Sequence, residues 1–157
     1  MAHHVLLVHR SRSGGTEQLA QAFATGLASV AFDLEERVEV VRASPLEATA
    51  RAVLEADAIV IATPEHFGSM AGATKHFFEE IWHACLDQTV GLPWQLLVKA
   101  GNDGTGTVAS VQKLATGLQW REFRPPLVVA GEVAAHHVEA AAELGATLAV
   151  SLDAGIV

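Results

Sequence analysis

A chain of 157 residues, half of them apolar, is long enough for one domain whose core needs neither a disulfide nor a metal. The formal net charge of -8 argues against nucleic acid, which is held by clustered lysine and arginine, and the single cysteine, Cys85, rules out an internal disulfide framework. No apolar run approaches the roughly 20 residues that span a bilayer, and Met1-Ala2-His3-His4 leads straight into a strand pattern, so the expected location is cytoplasmic.

Five short apolar runs alternate with five helical patterns. The first predicts a strand over 4–9, with a helix over roughly 15–30. Val38-Glu39-Val40-Val41 reads as the second strand, before a helix over roughly 46–55. Ala58-Ile59-Val60-Ile61-Ala62 is the third, before a helix over roughly 70–86. Gln95-Leu96-Leu97-Val98-Lys99 and a helix over roughly 105–118 come next, then Leu127-Val128-Val129-Ala130 and a helix over roughly 136–152, an alanine-rich segment read as a surface helix. Pro45, Pro93 and Pro125-Pro126 fall between elements. Regular alternation implies a single α/β domain over 1–157, a three-layer α/β/α sandwich on a five-stranded parallel sheet. Of the common doubly wound orders, 2-1-3-4-5 fits this count, and ligands then sit outside the carboxyl ends of the strands, where the order reverses. Three loops should converge there: 10–16, 63–69 and 100–106.

The first loop is Ser11-Arg12-Ser13-Gly14-Gly15-Thr16. Glycines and hydroxyls between a buried strand and a helix suit a phosphate, because the first helical turn leaves backbone N–H groups unpaired and carries partial positive charge. An ordinary N-cap at Ser13 or Thr16 accounts for the same residues. The second loop, Thr63-Pro64-Glu65-His66-Phe67-Gly68-Ser69, offers His66 and Phe67 as a shelf for a planar ligand; alternatively it turns the chain and packs Phe67 on the core. The third, Ala100-Gly101-Asn102-Asp103-Gly104-Thr105-Gly106, supplies backbone groups for the edge of a heterocycle, or forms a plain turn. Neither glycine loop is a dinucleotide fingerprint or a Walker A motif, since the glycine order and the Lys-Ser/Thr ending are wrong. A phosphatase nucleophile is excluded by the lack of cysteine in 9–16. The eight histidines do not form a zinc motif, and no metal is expected.

Together these loops match a phosphorylated planar cofactor, and the chain resembles the flavodoxin-like superfamily over nearly its whole length, most closely the flavodoxin-type NAD(P)H-dependent FMN and quinone reductases. Ser11 to Thr16 resembles that family's phosphate loop, and Thr63-Pro64-Glu65-His66-Phe67 resembles its Thr-Pro-Glu-Tyr-Asn segment, with His and Phe replacing Tyr and Asn. The resemblance implies FMN, with its phosphate on 11–16 and its ring between Thr63–Gly68 and the residues Ala100, Gly101, Asn102, Asp103, Gly104 and Gly106.

FMN would carry the chemistry, so no catalytic residue is assigned; Glu65 and His66 are candidates for shaping the acceptor site, and Arg12 for pairing with a phosphate. Electron-carrying flavodoxins cover the ring with aromatics from both ring loops. This chain has no tyrosine and no aromatic in 100–107, and Trp82 and Trp120 are expected far from the ring. One open face favours a reductase that takes electrons from NADH or NADPH and passes them to a quinone, a flavin or another small acceptor. An electron carrier to a protein partner is the alternative, and a flavin-free interaction module of this fold a third reading. A homodimer or homotetramer would let a neighbouring subunit supply the missing aromatic wall; neither nucleic acid nor membrane is an expected partner.

Overall fold

Strands that read as unbroken valine, leucine and isoleucine must be covered on both faces, and the chain places a helix after nearly every one. The computed structural model describes residues 1–9 and 14–157. Its elements are β1 (Ala2–His9), α1 (Gly15–Ser29), a 3-10 turn (Ala31–Asp33), β2 (Arg37–Ala43), α2 (Ala50–Leu54), β3 (Ala58–His66), β4 (Ser69–Met70), α3 (Gly72–Cys85), β5 (Pro93–Ala100), α4 (Thr105–Gly117), β6 (Arg121–Glu122), β7 (Leu127–Ala130) and α5 (Ala135–Asp153). The principal strands lie parallel in the order β2-β1-β3-β5-β7, which is the expected 2-1-3-4-5. Helices α1 and α5 cover one face of the sheet, and α2, α3 and α4 cover the other.

Three elements differ from the sequence expectation. The second helix was expected from residue 46 but begins at Ala50, because the Thr49 hydroxyl accepts the Ala52 N–H at 3.2 Å and caps it there; residues 44–48 form a turn on the Ser44 carbonyl. The third helix starts at Gly72 instead of 70, because β3 runs on to His66 and folds back as the two-residue strand β4. The last strand is split. Arg121–Glu122 pair with Pro93–Trp94, Leu127–Ala130 pair with Leu97–Ala100, and the register slips by two residues across Phe123–Pro126. Proline has no N–H to donate, so Pro125-Pro126 interrupt the ladder where it is tolerated, at the sheet edge. The buried Gln95 ties this interruption down by donating from Nε2 to the Pro125 carbonyl at 3.1 Å.

The alanine-rich final helix is closer to the core than a surface helix needs to be. A Cβ on Gly26 of α1 would stand 1.9 Å from the Ala142 carbonyl oxygen, and one on Gly145 of α5 would stand 2.0 Å from that of Phe23. Glycine at both points lets the two backbones touch. The start of α5 is held by His137, whose Nδ1 accepts the Ala134 N–H at 2.9 Å. Cys85 is fully buried, and burial pushes its thiol pKa up, as expected of a core residue. Trp120 lies at the amino end of β5, donating to Thr89 at 2.8 Å, and Trp82 packs on Gly117 at the far end of α4; both are remote from the carboxyl edge of the sheet. No helix among the described residues is long and apolar enough to cross a membrane.

Candidate functional site

Strands β1, β3 and β5 end at the same edge, and the loops following them meet there. Of the first loop, Ser11, Arg12 and Ser13 lie outside the described residues. Gly14 is the N-cap of α1 with φ 74, a left-handed value that suits glycine, and it has no side chain with which to cap. Its carbonyl accepts the Gln18 N–H at 3.1 Å, which starts the helix and leaves the N–H groups of the first turn without intrahelical partners. The N-cap is thus Gly14 and not Thr16. Thr16 is buried within the first turn.

The second loop is a tight hairpin. His66 pairs with Ser69, and the two turn residues, Phe67 and Gly68, have φ of 53 and 72. Two consecutive positive φ values match the twist of an antiparallel pair, but they suit Asn-Gly better than a bulky aromatic. Phe67 does not pack on the core; its side chain is fully exposed at the hairpin tip. Thr63 is buried and committed to structure: its hydroxyl donates to the Pro64 carbonyl at 2.9 Å and accepts the Ala71 N–H at 3.1 Å, which fixes the start of α3.

Glu65 joins the second loop to the third. Its Oε1 accepts the Asn102 N–H at 2.6 Å and its Oε2 accepts the Gly104 N–H at 3.0 Å. Two charge-assisted bonds from one carboxylate hold the glycine loop in shape, and they occupy two of the amides that the sequence offered to a heterocycle. Asp103 Oδ1 takes a third, the Thr105 N–H at 2.9 Å. Gly104, with φ 75, sits against Val128, and a Cβ there would approach Val128 Cγ1 to 2.7 Å. Gly106 at the start of α4 lies under the hairpin, where a Cβ would come within 2.0 Å of the Gly68 carbonyl oxygen. The Ser110 hydroxyl adds a further link, accepting the Met70 N–H at 3.2 Å. Gly101, Asn102 and Asp103 are exposed at the tip of this loop, Ala100 is buried at its base, and Lys75 is exposed on α3.

Three basic residues to which the sequence analysis assigns no role stand beneath the first turn of α1. Arg42, His9 and Lys99 stand at the carboxyl ends of β2, β1 and β5 on the face that α1 covers. Each lies two residues beyond an apolar residue on that face: Val40, Leu7 and Leu97. That alternation is the signal by which they could have been found. Arg42 donates from Nε to His9 Nε2 at 3.1 Å, from one terminal nitrogen to Gln21 at 2.7 Å and from the other to Glu17 at 2.8 Å. An acceptor Nε2 requires a neutral ring with its proton on Nδ1, which faces Glu17 Oε2 at 3.2 Å. Burial, then the Arg42 charge, lowers the His9 pKa below the ordinary imidazole value, against an opposing pull from Glu17. The Lys99 stem runs along Gly15, so close that a Cβ on Gly15 would stand 2.6 Å from Lys99 Cδ.

The donor set fits a phosphorylated flat molecule. A glycine-opened helix terminus without a side-chain cap can accept the anion, and the Glu65-braced loop and the hairpin flank the adjoining edge. Comparison with solved structures agrees on the fold. The chain is similar to a flavodoxin from the domain Archaea, with 19% identity over 95% of this chain and 98% of that one and a TM-score of 0.81. It is similar to a WrbA-like flavodoxin from Agrobacterium tumefaciens at 18% identity over 94% and 96%, with a TM-score of 0.67. It also matches the flavodiiron core of Flv1 from Synechocystis sp. PCC6803 at 15% identity and a TM-score of 0.80, covering 98% of this chain but 36% of that one. The fold is flavodoxin-like. No curated protein matches the sequence at a significant level. The model of the family described as NADPH-dependent FMN reductase matches residues 10–140, most of the chain, and the protein therefore belongs to that family, an FMN-binding oxidoreductase.

Proposed function

We propose that this protein is a reductase that draws electrons from NADPH or NADH and delivers them, through FMN, to a small acceptor such as a quinone or a free flavin. The single observation that supports this reading is the loop after β5: glycine and short polar residues pinned by Glu65, with no aromatic side chain between Ala100 and Gly106. A flat ligand on that edge keeps a face free for a second flat molecule, first the nicotinamide and then the acceptor. When bound, FMN supplies the two-electron chemistry and exchanges with both.

The residues of this chain bind and orient. The first turn of α1 takes the phosphate end, with Ser11, Arg12 and Ser13 as its further donors. The hairpin at His66 to Ser69 and the loop at Gly101 to Gly104 border the ring, and Phe67 at the tip is free to lie against a planar molecule. A dimer or tetramer, in which a neighbouring copy covers part of the open face, belongs to the same reading.

The test is anaerobic. Protein loaded with FMN is mixed with NADPH or NADH, and loss of the yellow absorbance within seconds, followed by its return on adding a quinone, is the expected result. A flavin that stays oxidised with both nucleotides yet is reduced by dithionite would overturn the reductase reading in favour of an electron carrier.

A further inference from the structure

Arg42, His9 and Lys99 form a basic row across the carboxyl ends of β2, β1 and β5, and they are not neutralised alike. Arg42 and His9 both meet Glu17. Among the described residues Lys99 has no carboxylate partner, and its ammonium donates to the carbonyl of Ala100 at 3.3 Å. Glu65, next to Lys99's register partner Pro64 on β3, is spent on the amides of Asn102 and Gly104.

The stem of Lys99 has a fixed seat. A Cβ on Gly15 would stand 2.6 Å from its Cδ, 2.7 Å from its Cγ and 2.8 Å from its Cε, so glycine at 15 is what lets the lysine lie there. Its ammonium, one bond beyond Cε, is thereby held beside the first turn of α1. That turn carries the positive end of the helix dipole, where a cation is disfavoured and an anion favoured. A lysine with no acidic partner among the described residues, seated by a glycine against a positive helix end, has its natural counter-charge in an anion bound between the two.

We propose that Lys99 is a counter-ion of the FMN phosphate and makes this chain prefer the phosphorylated flavin to riboflavin. The inference rests on the FMN-binding reading above and adds to it a residue from β5, outside the phosphate loop. The competing account is that the stem only covers apolar surface beneath α1 while the ammonium stays in water. Methionine at 99 keeps the stem and removes the charge, and arginine keeps both in altered form.

Quenching of flavin fluorescence measures the dissociation constants of FMN and riboflavin for the purified protein, for Lys99→Met and for Lys99→Arg, at low and high salt. Loss of one charge-assisted contact should weaken FMN about tenfold to a hundredfold in Lys99→Met, with riboflavin affinity unchanged and a shallower salt dependence for FMN. Lys99→Arg should keep most of the preference. A Lys99→Met protein that retains the FMN preference, or loses both flavins equally, would overturn the assignment. If the unsubstituted protein quenches neither flavin, the FMN reading itself fails; if it binds FMN tightly and the methionine variant does so as well, only Lys99 is at fault.

Discussion

His9 shows how a single buried side chain makes this fold sensitive to pH. Its ring is neutral between Arg42 and Glu17, with its pKa lowered chiefly by burial. The unfolded chain takes up a proton as pH falls through the ordinary value of 6.5, while the folded chain resists until its own lower value is reached. Since the unfolded state binds more protons in that window, the contribution of His9 is complete above pH 6.5 and is lost progressively below it. Urea midpoints taken at about pH 7.5 and about pH 5.5 should fall less for His9→Gln than for the unsubstituted protein. Phe67 stores strain of another kind. A bulky residue at φ 53, wholly exposed, costs folding energy and gains no packing in return, so Phe67→Asn should stabilise the ligand-free protein by about 1 kcal/mol in urea titration. Neither effect is legible in the sequence: the lowered pKa of His9 depends on its burial and on the charge of Arg42 from the neighbouring strand, and the turn angle of Phe67 on a two-residue strand that local pattern does not mark.

At the scale of elements, the loops that sequence brought to one edge turn out to be built into each other. Glu65 and Gly106 are the two fastenings, one polar and one steric. Glu65→Gln keeps the size but cannot accept two amide protons with charge assistance, so the Asn102 and Gly104 amides should lose protection in hydrogen exchange, with a stability loss of about 1–3 kcal/mol. Gly106→Ala puts a methyl against the Gly68 carbonyl, and because that neighbour is backbone the hairpin itself must shift; a loss of about 1–3 kcal/mol in the urea midpoint is expected. Sequence located these loops because Thr63-Pro64 and the glycines at 101, 104 and 106 are strong punctuation. It offers Glu65 as a candidate for shaping the acceptor site, and does not reveal that the carboxylate accepts backbone protons from 37 and 39 residues further along, a pairing that no local signal carries. Helix starts shift by a few residues for a similar reason: Thr49 sets the start of α2 by a hydroxyl contact, and the β3 hairpin delays α3.

For the whole molecule, the strand order was readable because five apolar runs separated by helical periods leave few topologies, and right-handed crossovers choose among them. The split of the last strand was foreshadowed only by Pro125-Pro126. Binding FMN to the folded state alone should raise its stability by about 2.7 kcal/mol at a hundredfold excess over the dissociation constant. For a chain of this size that is a rise in melting temperature of about 5–10 °C, to be read by differential scanning calorimetry with and without the flavin. The link between Glu65 and the glycine loop bears finally on how such a protein can be altered. Since the carboxylate of one loop sets the course of the other, and Gly106 leaves no slack under Gly68, neither loop can be lengthened or replaced by itself without breaking its partner. Residues 65–70 and 101–106 are a single cassette, and a transplant that changes what this edge accepts has to carry both halves together.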